Sequence, residues 1–86
     1  MSDPARNMNP MTPAQLLDFE RRHPHATPDK HARIRHELGI SEIRYYVLLA
    51  RAAESVDGIA ADPFTARVVR ERAYKRARER ERRIAS

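Results

Sequence analysis

Arg44, Val47 and Arg51 stand three and four residues apart in a stretch that reads as a helix, so they share one stripe of its surface. A guanidinium is planar, forked and permanently charged. Carried on a helix, it can bond the two acceptors of a guanine edge or grip a phosphate oxygen. Ser41 and Glu42 open the same stretch, directly after Leu38-Gly39-Ile40. The chemistry implied is recognition of double-stranded DNA. Ser41, Glu42, Arg44 and Val47 are the candidates for base edges and Arg51 for the backbone.

A second set of cations lies further on. Residues 63–86 hold nine Lys or Arg against three acids (Glu71, Glu79, Glu81), a surplus of six in a chain of net charge +5. The preceding residues are therefore close to neutral, and the asymmetry points to a polyanionic partner. Arg70, Lys75, Arg76, Arg78, Arg80, Arg82 and Arg83 are the candidates for phosphate. Glu71–Lys75 and Glu79–Arg83 have i, i+4 spacing, each pair contributing only a few tenths of a kcal/mol. Local pairing leaves most of the surplus unmatched. The distal half has few apolar residues, so it is expected to fray in the free protein and order on its partner. A solvated helix or an acidic protein partner is the alternative.

The segment ELGISEIRYY, Glu37–Tyr46, has the make-up of a helix-turn-helix corner. A sharp turn favours glycine (Gly39), the second helix needs a small polar cap (Ser41), and an apolar residue between them pins the helices together (Ile40). Arg35 departs from the pattern, since the position four before the glycine is often a small alanine. Many helical bundles contain such a corner and bind no nucleic acid.

Four start signals must position these residues. Thr12-Pro13, Thr27-Pro28 and Asp62-Pro63 each set a side-chain acceptor before a proline, and Ser41-Glu42 is the fourth. Gln15, three after Thr12, completes a capping box. Four helices are predicted. The first spans about Pro13–Arg22 with Leu16, Leu17 and Phe19 inward; the second spans Pro28–Leu38 with Ile34 and Leu38 inward. The third spans Glu42–Ser55, and the fourth starts at Pro63. Asp57-Gly58 reads as a turn, with Ile59–Ala61 plugging the core. Two registers are open for the third helix. One buries Tyr45, Leu48 or Leu49, and Ala52. The other buries Ile43, Tyr46, Val47 and Ala50; the first is preferred because it keeps Arg44, Val47 and Arg51 on one exposed stripe.

Other chemistries find little support. The chain has no cysteine, and His23, His25, His31 and His36 lack metal-ligand spacing, so no metal and no cofactor is expected. Capping accounts for Ser41; with no orienting acid beside His36 and no glycine-rich loop, the chain does not read as an enzyme. No apolar run approaches the roughly 20 residues of a membrane span. The expected location is cytoplasmic, on the nucleoid if DNA is the partner.

From about Leu16 to Arg83 the sequence resembles an uncharacterised family of small helical proteins of actinobacteria and their phages, similar to the fourth region of sigma factors. The residues that carry the resemblance are Leu17–Arg22 (LDFERR), Leu38–Ser41 with Arg44-Tyr45-Tyr46 and Leu48-Leu49, Ala60-Ala61-Asp62-Pro63 and the basic tail. It implies a helix-turn-helix and a role in transcription regulation.

The sequence thus predicts an all-α, four-helix domain over residues 12–74, with its helix-turn-helix in helices 2 and 3. A disordered lead-in (1–11) precedes it and a basic helical extension (75–86) follows. The rival partner is a protein, either RNA polymerase or a host protein inhibited by a phage-encoded factor. Oligomeric state is open.

Overall fold

Each helix begins at a residue able to bond its own first turn. The computed structural model describes residues 11–85. Among them it is all-helical, and the four expected caps are in place. Thr12 Oγ1 accepts from the Gln15 N–H at 3.1 Å while the Gln15 side chain accepts from the Thr12 N–H at 2.9 Å, closing the capping box at α1 (Pro13–Arg22). Thr27 accepts from the Lys30 N–H to start α2 (Pro28–Arg33). Ser41 accepts from the Arg44 N–H to start α3 (Glu42–Glu54).

A fifth start was not foreseen. Ser55 accepts from the Gly58 N–H at 2.9 Å and opens a short helix, α4 (Val56–Ala61), where the sequence suggested a turn and a core plug. Ile59 is 40% exposed and Ala60 and Ala61 are exposed too, so Gly58 is the buried residue of this segment. The reason is a close approach: a Cβ on Gly58 would sit 1.9 Å from the Ala52 carbonyl oxygen. Asp62 then accepts from the Thr65 N–H at 3.1 Å and opens α5 (Pro63–Ala85). This helix is continuous to Ala85, where fraying was expected. Its Arg, Glu and Ala are strong helix formers, and Arg67–Glu71 pairs within it.

The second predicted helix changes pitch. After α2 the chain passes through a π-helical turn (Ile34–Leu38), and Gly39, at φ 71°, ends it with its N–H on the Ile34 carbonyl at 3.1 Å. Only three residues separate this turn from α3, as the corner requires.

The core lies where α1, α3 and α5 meet, with Ile34 closing it from the corner. Leu16, Leu17 and Phe19 face Tyr45, Leu49, Ala52 and Ala53, and Ala66 and Val69 cover them from α5. Each large side chain so buried contributes about 1.5–3 kcal/mol. Phe19 and Tyr45 meet edge-on at 5.5 Å. Met11, assigned to the lead-in from the sequence, packs against this core; the rest of that segment lies outside the described residues. Phe64, in the first turn of α5, is 75% exposed. Among the described residues no helix is long and apolar enough to cross a membrane.

Candidate nucleic-acid interface

The first of the two registers is the one α3 adopts. Tyr45, Leu49, Ala52 and Ala53 are buried, and Arg44, Val47 and Arg51 are exposed on the opposite side. Arg44 and Arg51 make no ion pair among the described residues, so both guanidinium groups stay available to a ligand. Ser41 is exposed, but its hydroxyl is held by its own helix. Glu42 is half-buried. Its Oε2 lies 3.1 Å from His31 Nε2, a contact that ties α2 to α3 across the corner. Ile43, at 79% exposure, extends the apolar part of the stripe one turn toward the N-terminus beside Val47. The sequence names it only in the rival register, as a buried residue.

The cations of α5 divide into two groups. Arg70 turns to the body: its Nη1 donates to the Ala53 carbonyl at 2.8 Å, near the C-terminus of α3. Arg72 turns inward as well, and Arg67 pairs with Glu71, which was expected to serve Lys75. Lys75, Arg76, Arg80 and Arg82 make no ion pair among the described residues, and Arg78 lies 5.7 Å from the Tyr74 ring centroid. Arg70 sits against Ala53, whereas Arg76 lines a groove with Tyr46 and Glu42. Helix α5 therefore runs antiparallel to α3, and its distal turns pass the N-terminal end of α3. From Arg76 to Ala85 the helix reaches about 14 Å further at 1.5 Å per residue. The unpaired bases of the arm and the first turn of α3 thus share one end of the molecule.

A buried carboxylate sets this geometry. Glu20, on α1, is 3% exposed. Its Oε1 accepts from Lys30 Nζ at 2.8 Å and from the Tyr45 hydroxyl at 2.7 Å, and its Oε2 accepts from Arg72 Nη1 at 3.0 Å. One side chain thereby joins α1, α2, α3 and α5. Burial, helped by the bond to Glu20, pushes the Tyr45 phenol well above its ordinary range, so this hydroxyl stays a donor. The sequence reading missed Glu20 and Lys30. A signal was present: Glu20 falls four residues after Leu16, and Lys30 four before Ile34, both on core-facing stripes.

Comparison with known proteins assigns a family. The family described as "Protein of unknown function (DUF3263)" matches residues 11–83, and the chain belongs to it. No curated protein and no solved structure matches the chain.

Proposed function

Within that family, we propose, this chain is a double-stranded DNA-binding helix-turn-helix protein that regulates transcription, similar in its reading head to the fourth region of sigma factors. Helix α3 enters the major groove with Arg44 and Val47 leading and Ser41 and Glu42 at its mouth. Arg51 and the arm residues Lys75, Arg76, Arg78, Arg80, Arg82 and Arg83 hold phosphates. Arg70 contributes less, because its guanidinium is already bonded to the body. The observation that carries this reading is that Arg44, unengaged on the solvent face of α3, stands at the end of the helix that the unpaired bases of α5 pass, with Arg51 unengaged further along the same face. Base contacts would supply specificity and the arm sequence-independent affinity.

Fluorescence anisotropy with a labelled duplex at two salt concentrations tests it. With four to six phosphates engaged, log K falls against log salt with a slope of about −4 to −5. No binding at low salt refutes the reading.

A second reading is favoured by the apolar surface. Ile43, Val47 and Phe64 are exposed, and the first two stand i, i+4 on the same face as Arg44. Aromatic, aliphatic and arginine side chains together suit a protein interface. The partner would then be RNA polymerase or a host protein inhibited by this chain.

A further inference from the structure

The structure also holds a cluster of donors of which this reading uses only Arg76. An open groove of roughly 490 Å³ runs between α2, α3 and α5, with His25, Lys30, His31, Tyr46, Arg72 and Arg76 along its walls. The size is that of a small-ligand cleft, about 300–1,000 Å³. Two acids face it. Glu20 is engaged by Lys30 and Arg72 together, and Glu42 by His31. One negative charge on Glu20 thus meets two positive ones, and Arg76 adds a cation with no ion pair among the described residues. With both histidines neutral, the walls keep a surplus of one positive charge.

The second observation is independent of charge. The Tyr46 hydroxyl is buried and has no hydrogen-bond partner among the described residues, although the ring lines this groove. Lys30 Nζ lies 5.4 Å from the centroid of that ring. Leaving a buried donor unmatched costs on the order of 1–3 kcal/mol. A group that accepts from Tyr46 and Arg76 and also cancels the surplus charge would relieve both defects.

We propose that this groove is an anion site that takes a phosphate group, with Arg76 and the Tyr46 hydroxyl as its donors and His25 and His31 at its rim. Phosphate suits it better than a carboxylate, since it offers several acceptor oxygens to a forked arginine, a phenol and an imidazole at once. The site does not depend on α3 reading DNA, because none of its donors lies on the solvent stripe of α3. Two sources present the same chemistry: a free phosphate ester, or a backbone phosphate of a duplex lying against the corner.

The test is a titration of the full-length chain with inorganic phosphate at constant ionic strength, followed in 1H–15N spectra. Saturable shifts confined to Tyr46, Arg76 and His31 are expected. Tyr46→Phe, which keeps the ring, and Arg76→Gln, on an exposed turn, should each weaken the apparent affinity about tenfold or more, the loss expected for a hydrogen bond to a charged group. Arg35→Gln removes the same charge from the exposed corner and should leave affinity unchanged. Adding a duplex to the phosphate-loaded protein separates the sources: displacement assigns the site to the DNA backbone, and retention assigns it to a free phosphate ester. Shifts that grow linearly without saturation, or equal affinity in all three variants, overturn the proposal.

Discussion

Replacing Glu20 by glutamine removes one charge and almost no volume, so its effect isolates the electrostatics of the core. In the native fold the carboxylate accepts three hydrogen bonds, two of them on Oε1. The amide of glutamine keeps one acceptor and turns two N–H donors toward either Lys30 and Tyr45 or Arg72. Either way a donor faces a donor. Lys30 suffers most: its side chain is 2% exposed, and in either orientation it loses its counter-charge, keeping at best a neutral amide oxygen beside the ring faces of Tyr45 at 5.8 Å and Tyr46 at 5.4 Å. Stranding a buried charge costs about 3–5 kcal/mol. The Arg72 end adds little, since that side chain is 45% exposed and water can replace the lost partner. A chain of 86 residues has a total stability of roughly 4–13 kcal/mol. Glu20→Gln should therefore remove about a quarter of that stability or more.

The reverse cut should be far milder. Lys30→Met fills the same space with an apolar chain and leaves Glu20 bonded to the Tyr45 hydroxyl and balanced by Arg72. Because Glu20 keeps Arg72 as its counter-charge, this cut strands no buried ion, and the full cost of an uncompensated charge does not apply. A cost under about 2 kcal/mol is expected, so the two variants should differ by at least about 1 kcal/mol. Urea denaturation followed by circular dichroism at 222 nm measures both, with equal m-values as the check that the unfolded state has not changed. Equal losses in the two variants, or less than about 1 kcal/mol for Glu20→Gln, would refute the assignment of Glu20 as the hub.

Three further outcomes are expected. Gly58→Ala places a methyl group 1.9 Å from the Ala52 carbonyl and must push α4 off α3, costing roughly 1–3 kcal/mol or more in the same urea assay. Asp62 has its carboxyl held below the ordinary value by bonds from Thr65, so the fold gains stability from it above about pH 4 and loses that gain as the pH falls through the lowered value. Asn caps equally well without titrating, and Asp62→Asn should flatten the acid limb of a stability–pH profile; Asp18, lowered in the same direction by Arg21 and Arg22, will keep part of that limb. Arg44→Ala should cost about 1–3 kcal/mol on a selected duplex and much less on random duplex, measured by anisotropy; an equal loss on both would remove Arg44 from base reading.

What the sequence made legible was local. The caps at Thr12, Thr27, Ser41 and Asp62 act across three residues, and the stop at Gly39 needs only its own backbone freedom, so neither depends on the rest of the fold. Helix α4 is local too, yet Asp57-Gly58 outweighed the Ser55 cap, because the need for glycine there comes from Ala52 across the turn. The register of α3 was undecidable from periodicity, since Ile43, Tyr46 and Val47 form an apolar face as good as Tyr45, Leu49 and Ala52. What selects the observed face is a bond from Tyr45 to an acid 25 residues earlier. A pairing over that distance leaves no periodic trace.

The same pairing ties the candidate interface to the core. Arg72 is the residue of α5 that reaches Glu20, and Arg70, two residues earlier, reaches the last turn of α3. Together they fix the rotation of α5 about its axis as well as its position. Four residues beyond Arg72, on the same stripe, stands Arg76, and four beyond that stands Arg80. The inward anchors therefore determine which bases point toward the end of α3 and which point away. Shortening the arm would remove charge alone, whereas loosening its anchor would keep the charge and lose its direction. Arg72→Gln, which leaves the unpaired bases in place, separates the two: in the anisotropy assay it should preserve most of the salt slope while lowering affinity, and an unchanged affinity would show that the arm acts by charge alone.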